Sequence, residues 1–217
     1  MPVLPQPPLL LITDRSQARQ PLPALAAAAL AGGCRWISLR EKDLPAEARR
    51  DLLGQLWEEA SPYGARVTVH GDLEAARLCH GVHLPGGGNV MAARALLGPQ
   101  AVIGQSCHTL EDVRLAAISG ADYVTLSPIF VSPSKPGYGP ALGLEVLAAA
   151  QAFGVPVIAL GGIDAENAAG CLRAGAAGVA VMGGIMRADD PAAALRRLTA
   201  ALGERPAPRP SRAARAG

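Results

Sequence analysis

The feature that most constrains the fold is a regular alternation of short apolar runs with longer stretches whose apolar residues recur at helical spacing. Each run has the length and continuous hydrophobicity of a buried strand. The eight runs lie at residues 9–13, 36–40, 66–70, 81–84, 101–105, 123–127, 156–160 and 178–182. Because a helical stretch separates each run from the next, the strands are expected to be parallel.

Eight strand–helix units in about 200 residues predict a single-domain (β/α)8 TIM barrel, an α/β fold. A doubly wound sheet would usually carry a GxGxxG turn after its first strand, and the chain has ITDRSQ there. We expect the barrel to span residues 1–203 and the Arg/Pro-rich residues 204–217 to be a disordered tail. In such a barrel the active site lies at the carboxyl ends of the strands.

Local patterns also predict where several helices begin. Thr109 is followed three residues later by Asp112, which is typical of a capping box. Asp164 and Asp190 stand in front of further helical stretches, and aspartate is a preferred N-cap residue.

The charge balance argues against a nucleic-acid partner. The 217 residues carry a formal net charge of +2, but residues 204–217 contain four arginines and a single acid. The remaining chain has 16 basic and 17 acidic residues, so the barrel itself is nearly neutral. A short basic tail more often aids solubility than binds nucleic acid.

Cysteine spacing and hydropathy narrow the class further. No pair of cysteines forms a CxxC motif, so neither a zinc site nor a disulfide framework is indicated; the cysteines are Cys34, Cys79, Cys107 and Cys171. No apolar run approaches the roughly 18 residues of a membrane span, and the N-terminus lacks a basic start. We expect a cytoplasmic protein that binds no membrane.

Glycines follow the last two predicted strands, where barrels commonly bind phosphate. The seventh strand leads into Gly161 and Gly162, and the eighth leads through Met182 into Gly183 and Gly184. Glycine lets backbone N–H groups approach an anion, and a following helix N-terminus adds partial positive charge. The alternative is that these glycines only permit tight turns. We favour a phosphate site because the pairs occur at both expected strands.

The loop after the sixth strand supports this prediction. It carries the hydroxyls of Ser132 and Ser134 beside Lys135, and such groups are common phosphate ligands. A lysine alone would more often be a solvated surface charge. We predict that all three residues contact a phosphate.

The chain resembles the superfamily of thiamine phosphate synthase and the TenI-type thiazole tautomerase from about residue 9 to about residue 200. The resemblance rests on LITDR, ISLREK, GVHLP, IGQSCH, ADYVTLSPIFVSPSKP, VIALGGI and AGAAGVAVMGGI. It implies a TIM barrel in thiamine biosynthesis, with thiazole phosphate bound by the glycine loops. It also implies a homo-oligomer.

The chain departs from the synthase pattern at the diphosphate side of the pocket. The synthase has a Gln where this chain has Ser38, and an Asn-Asp pair where it has His70 and Gly71. The loop after the fourth strand reads PGGGN and lacks the second magnesium carboxylate. Because these groups hold a magnesium diphosphate, their loss favours the tautomerase branch. This predicts no metal and no cofactor.

The tautomerase reaction moves a proton between two carbons and makes the thiazole ring aromatic. His108 resembles the family's catalytic histidine, and imidazole can both accept and donate a proton near neutral pH. Arg40 is predicted to bind the substrate carboxylate in a bidentate contact. Lys42 is a weaker candidate for substrate binding, since it could equally be a surface charge.

Two further histidines, His70 and His83, lie near strand ends and are possible accessory groups, or simply fill space. Two histidines without a third ligand make a weak case for zinc. Cys107 is unsuited to act as a nucleophile with His108, because successive strand residues point to opposite faces.

Two alternatives remain open. The first is a thiamine phosphate synthase that couples hydroxymethylpyrimidine diphosphate to thiazole phosphate through an altered diphosphate site, with magnesium as its cofactor. The second is a non-catalytic protein that binds thiazole or thiamine phosphates and regulates a partner. The leading hypothesis is a metal-independent thiazole tautomerase whose substrate is a small phosphorylated thiazole.

Overall fold

The computed structural model describes residues 4–131 and 140–203. These residues form a closed barrel in which each strand pairs in parallel with its sequence neighbours and β1 pairs with β8. The strands are β1 (Leu9–Ile12), β2 (Trp36–Leu39), β3 (Arg66–His70), β4 (Gly81–Leu84), β5 (Val102–Cys107), β6 (Tyr123–Leu126), β7 (Val157–Leu160) and β8 (Gly178–Val181). The predicted (β/α)8 barrel is confirmed.

The helices follow the strands in alternation. They are α1 (Leu22–Ala31), α2 (Ala46–Ala60), α3 (Leu73–Ala76), α4 (Val90–Leu97), α5 (Leu110–Ile118), α6 (Glu145–Ala150), α7 (Ala168–Arg173), α8 (Gly183–Met186) and α9 (Pro191–Gly203). None of the helices in the described part of the chain is long and apolar enough to cross a membrane. The predicted tail, residues 204–217, lies outside the described residues.

All eight strand predictions overlap an observed strand, and the largest error is at β5. Its pairing with β6 continues through Ser106 and Cys107, two residues beyond the predicted end. The polar Gln105 and Ser106 interrupt the apolar run on which the prediction depended. Because β5 is longer, His108 directly follows a strand end.

Two of the three predicted helix caps are confirmed. Thr109 and Asp112 form a reciprocal capping box at α5, and the Asp190 carboxylate accepts a backbone N–H of the first turn of α9. The third is wrong, because α7 begins only after Asn167. Asp164 instead accepts the backbone N–H groups of residues 166 and 167, and so stabilises the turn before that helix.

Strand residues alternate between two hydrophobic layers. One set packs against the helices outside the barrel, as Leu11 and Ile103 do. The other set fills the lower barrel interior with Leu10, Trp36, Val102, Tyr123, Ile158 and Ala180. The Trp36 and Tyr123 rings meet edge to face at 4.6 Å between centroids. The floor of the barrel is therefore packed and apolar, and space for a ligand lies above it.

Candidate active site

The mouth of the barrel has two chemically different sides. At the carboxyl ends of β2 to β6, the inward positions carry hydroxyls, imidazoles and an arginine; we call this side the polar half. At β7 and β8 the inward residues are Leu160 and Met182, followed by paired glycines; we call this side the glycine half. The alternation of side chains along each strand decides which residues face inward.

A buried histidine organises the polar half. His83 Nδ1 lies 2.9 Å from the Tyr123 hydroxyl, and its Nε2 lies 2.9 Å from Ser106 Oγ. Burial, with smaller contributions from the charges of His70 and Arg40, lowers the pKa of His83 to about 3. The imidazole is therefore neutral at physiological pH, and its hydrogen bonds hold β4, β5 and β6 in register at the mouth.

Tyr123 reaches His83 only because the neighbouring strand carries a glycine. A Cβ at Gly104 would lie 2.1 Å from Cζ of the Tyr123 ring. The sequence interpretation missed Tyr123, although a tyrosine at an inward position of a chain with 3% aromatic residues is a signal that could have identified it.

The predicted accessory residue His70 lies beside His83, with ring centroids 5.2 Å apart. His83 is buried and His70 is half-buried, so His70 is the one nearer to solvent. The structure thus brings both predicted histidines to the same side of the mouth. The accessory role of His70 and His83 toward a substrate stays a prediction.

Arg40 and Lys42 follow β2 and flank a buried carboxylate, Glu41. Glu41 accepts hydrogen bonds from the Thr13 hydroxyl at 2.8 Å and from the Arg15 backbone N–H at 3.1 Å. Thr13 Oγ1 in turn accepts the Arg40 backbone N–H at 2.9 Å. This network fixes the backbone from which Arg40 and Lys42 project. Sequence analysis missed Glu41, although its position between two cations in ISLREK should place it on the opposite face.

The charge of Arg40 reaches several groups of the polar half. It helps to lower the pKa of His83 and of Asp14, and, after burial, it lowers the pKa of Lys42. The Arg40 guanidinium and the Lys42 ammonium have no hydrogen-bond or ion-pair partner among the described residues. Positive charge is therefore available to a ligand at this side of the mouth.

Ser38 lies one inward position below Arg40 on β2. Its hydroxyl is buried, and within the described part of the chain Ser38 Oγ has no hydrogen-bond partner. A buried hydroxyl without a partner is costly, and such an atom in a barrel interior suits a ligand or water. The residue that stands in place of the synthase glutamine therefore still presents a polar atom to the pocket.

His108 follows β5 at the mouth and contacts the end of β6. Its Nδ1 lies 2.9 Å from the carbonyl oxygen of Ser127, and a carbonyl can only accept. In the neutral imidazole, Nδ1 therefore carries the proton and Nε2 is the acceptor. The His108 backbone N–H donates to the Asp112 carboxylate at 2.9 Å, so the capping box of α5 also fixes this residue.

The glycine half is shaped by close approach of the chain. Gly161 and Gly162 have φ values of +98° and +66°, in the left-handed region. A Cβ at Gly161 would lie 2.9 Å from Pro128 Cα, and one at Gly162 would lie 2.7 Å from the Val131 carbonyl oxygen. These glycines are thus required by the turn and by the adjacent loop. Their predicted role in phosphate binding stays a prediction.

The second glycine pair opens a helix. Gly183 and Gly184 are the first residues of α8, immediately after Met182. The first N–H groups of a helix have no acceptor within the helix. A Cβ at Gly184 would meet no heavy atom within 4 Å. The space beside Gly184 is open, as a bound phosphate would require. Ser132, Ser134 and Lys135, which were predicted to complete this site, lie outside the described residues.

The family resemblance implies a magnesium ion, which would have to be coordinated by carboxylates at the mouth of the barrel. Mg²⁺ takes oxygen ligands and usually binds through one or two carboxylates. Asp72 caps α3 and pairs with Arg49 at 2.7 Å, Glu41 is bound as described above, and Asp14 accepts from two nearby side chains. No cluster of three potential ligands occurs within the described part of the chain. Because each of these carboxylates already stabilises a turn, a loop or a helix end, they do not fit the ion.

Comparisons with known proteins agree with the fold. The chain matches the family described as thiamine monophosphate synthase over residues 9–185. A thiamine-phosphate synthase of Chromobacterium violaceum is 42% identical over 84% of this chain and 89% of that protein. One of a Roseiflexus species is 41% identical over 88% of this chain and 83% of that protein. The structure of thiamine phosphate pyrophosphorylase from Pyrococcus furiosus has a TM-score of 0.82 at 29% identity, covering 90% of this chain and 95% of that one.

These relatives overturn the tautomerase interpretation. Proteins 40 to 42% identical over most of the chain are named thiamine-phosphate synthase. The departures at Ser38, His70 and Gly71 remove groups around a metal, but they leave Arg40 and Lys42 in place. Cationic side chains alone can bind a diphosphate, so the loss of metal ligands does not imply the loss of diphosphate chemistry.

The matched region contains every strand of the barrel and both halves of its mouth. This enzyme, a closed (β/α)8 barrel, therefore belongs to the thiamine monophosphate synthase family.

Proposed function

We propose that the chain is a thiamine-phosphate synthase, a transferase that joins hydroxymethylpyrimidine diphosphate to thiazole phosphate. The observation that carries the proposal is identity of about 40% to proteins of that name over more than four-fifths of the chain. The mouth of the barrel supports it, because two separate sides suit two separate anionic substrates.

The reaction exchanges one bond for another. The bond between the pyrimidine methylene carbon and the diphosphate oxygen breaks, and its electron pair leaves with the diphosphate. The lone pair of the thiazole ring nitrogen then forms the new carbon–nitrogen bond. The ring nitrogen becomes positively charged, and the released diphosphate carries the matching negative charge.

The glycine half is the proposed site of the thiazole phosphate. Backbone N–H groups at Gly161, Gly162, Gly183 and Gly184 can donate to phosphate oxygens, and Met182 provides an apolar wall beside them. Ser132, Ser134 and Lys135 are proposed to add a hydroxyl pair and a positive charge. Such an arrangement fixes one end of the thiazole and leaves the ring nitrogen to face the centre of the mouth.

The polar half is the proposed site of the pyrimidine diphosphate. Arg40 and Lys42 would bind the diphosphate and stabilise the charge that builds up as it leaves. The pyrimidine has hydrogen-bonding atoms, and Ser38 and His70 line the side on which it would lie. His108, which follows β5 in the polar half, is proposed to contact the substrate by hydrogen bonding. The synthase reaction needs no proton shift at the ring, so the proton-transfer role predicted for His108 has no step in it.

Direct product formation tests the proposal. The full chain is incubated with both substrates, and thiamine phosphate is quantified after separation by chromatography. A reaction without thiazole phosphate and one without protein serve as controls. Thiamine phosphate that accumulates with time and enzyme concentration supports the proposal. Its absence, with or without magnesium, would overturn it.

Two further expectations go with this function. Both substrates are small phosphorylated molecules, and nothing in the reaction requires a nucleic acid or a membrane. We propose that the enzyme is cytoplasmic, as the sequence predicts, and a homo-oligomer, as the family resemblance implies. Sedimentation analysis of the purified chain tests the oligomeric state.

A further inference from the structure

The acids around the mouth are all engaged in building the fold. Glu41 is buried and bonded to the loop after β1, and Asp72 both caps α3 and pairs with Arg49. Asp112 belongs to the capping box of α5, and Asp164 to the turn before α7. A carboxylate held in this way is a poor ligand for a metal ion, because binding the ion would give up hydrogen bonds that stabilise a loop or helix end.

The positions where the family has metal-binding acids hold other chemistry. The residue after the inward His70 on β3 is Gly71, and the segment after β4 runs through Pro85 and three glycines to Asn89. The Asn89 side chain accepts the Ala92 backbone N–H at 2.9 Å and so caps α4. The segment after β4 has no carboxylate, and the carboxylate of the segment after β3, Asp72, is bound to Arg49 and to the start of α3. Neither segment therefore offers free anionic oxygens to a divalent ion in contact with a diphosphate.

The available charges on this side are positive. Arg40 and Lys42 form no ion pair among the described residues, and Glu41 between them is turned away toward Thr13. Asp14, the acid whose pKa the charge of Arg40 helps to lower, is already hydrogen-bonded to Ser16 and Gln17. A guanidinium binds phosphate oxygens in a bidentate contact, and an ammonium binds them as a point charge. Together they supply the neutralisation that a metal ion would otherwise bring to a diphosphate.

We propose that the diphosphate site of this enzyme, for which Arg40 and Lys42 are the cations already proposed as ligands, works without a divalent metal ion. The assignment of the ligand rests on the proposed synthase function. The metal independence rests on the positions of the acids and cations at the mouth. It distinguishes this chain from members of its family that hold a magnesium diphosphate.

Calorimetric titration with inorganic pyrophosphate tests the proposal without requiring turnover. The full chain, freed of metal by a chelator, is titrated with and without added magnesium. We expect binding in the chelator, with affinity unchanged or weaker when magnesium competes for the pyrophosphate. Affinity that tightens by more than about threefold on addition of magnesium, or no binding in either condition, would overturn the proposal.

Variants show whether the binding occurs at this site. Arg40→Gln and Lys42→Gln should each weaken metal-free pyrophosphate binding by about tenfold to a hundredfold, the usual loss for a charged hydrogen bond. Arg197→Gln on the exposed face of α9 is the matched control and should bind as the wild type does. Thermal unfolding confirms that each variant is folded. Equal binding by Arg40→Gln and the wild type would contradict the assignment.

The titration and the assay of thiamine phosphate formation together separate this inference from the proposed function. Metal-free pyrophosphate binding without thiamine phosphate formation would overturn the synthase proposal and leave the metal-independent site standing. Thiamine phosphate formation together with magnesium-dependent pyrophosphate binding would support the synthase proposal and overturn the metal-independent site.

Discussion

The two halves of the barrel mouth are built by different means. The polar half depends on side chains that hold one another, with His83 hydrogen-bonded to Tyr123 and Ser106, and Glu41 bonded to Thr13. The glycine half depends on the absence of side chains, since Gly161 and Gly162 leave no room for a Cβ. The substrate recognition that we propose, by side chains on one side and by backbone on the other, suits a reaction between two unlike molecules.

The difference between a side-chain site and a backbone site also explains which half of the mouth can change its amino-acid sequence within a family. A backbone phosphate site depends on turn geometry, so few residues can replace its glycines. A side-chain site can exchange one set of charges for another and still bind the same anion. The polar half of this chain has kept one set of charges and lost another, because Arg40 and Lys42 remain while Gly71 and the segment 85–89 carry no acid.

The largest expected effect comes from removing positive charge from the polar half. Arg40→Gln should lower kcat/KM for the pyrimidine diphosphate on the order of a hundredfold, because charged hydrogen bonds to the leaving group are lost. Steady-state kinetics of thiamine phosphate formation measure the effect. Arg197→Gln is the control of equal charge change. A comparable loss of kcat/KM in Arg40→Gln and Arg197→Gln would show a general electrostatic effect and would contradict a specific role of the polar half.

A methyl group in the glycine half should act on the other substrate. Gly184→Ala places a Cβ in open space beside the start of α8, so the fold accepts it while a bound phosphate is obstructed. We expect KM for thiazole phosphate to rise about tenfold, with KM for the diphosphate unchanged.

Gly54→Ala is the matched control for this variant, because Gly54 lies in the middle of α2 and a Cβ there also meets no heavy atom. Both substitutions should raise the free energy of unfolding slightly, since alanine is the better helix former. An unchanged KM for thiazole phosphate in Gly184→Ala would contradict the assignment of the thiazole phosphate to the glycine half.

The burial of His83 predicts a pH dependence of stability. Its pKa is about 3 in the folded chain and near 6.5 when unfolded, so only the unfolded state binds a proton between these values. The free energy of unfolding should therefore fall as the pH is lowered from about 6.5 toward 3. Urea unfolding at several pH values measures the slope.

Two variants identify the source of that slope. His83→Gln should reduce it, because the titrating group is gone. Tyr123→Phe removes a hydrogen bond but keeps the buried imidazole, so it should retain the slope. An equal slope in the wild type and in His83→Gln would show that another group controls acid stability.

The smallest effect is expected at Ser38. Because its buried hydroxyl has no partner in the described part of the chain, Ser38→Ala should raise the free energy of unfolding by about 1 kcal/mol. If the hydroxyl also binds the pyrimidine, KM for the diphosphate substrate should rise by about threefold. A destabilised variant with unchanged KM would show that Ser38 is structural.

The sequence predicted the barrel well because buried parallel strands are continuous apolar runs with helical stretches between them. Errors occurred where a polar residue interrupted a run, as at Ser106, and where a turn preceded a helix, as at Asp164. Ser106 extends β5 by pairing with β6, and Asp164 is hydrogen-bonded within the turn that precedes α7. Periodicity along one segment does not contain this information.

The site was predicted in part. His70, His83 and Arg40 lie together at the mouth, and the glycine pairs follow β7 and β8 as expected. Glu41 and Tyr123 escaped prediction, because their importance comes from hydrogen bonds to residues 28 and 40 positions away. The reaction itself was misassigned. Missing acids in a motif indicate which metal ligands are absent. They do not indicate which other charged residues remain to bind the diphosphate.

The most direct test of the two-sided mouth is one kinetic comparison of the wild type, Arg40→Gln and Gly184→Ala with both substrates varied. We predict that the wild type forms thiamine phosphate and pyrophosphate in equal amounts. Arg40→Gln should impair use of the diphosphate alone, and Gly184→Ala should impair use of thiazole phosphate alone. No thiamine phosphate from the wild type, or the same pattern of loss in both variants, would contradict the account.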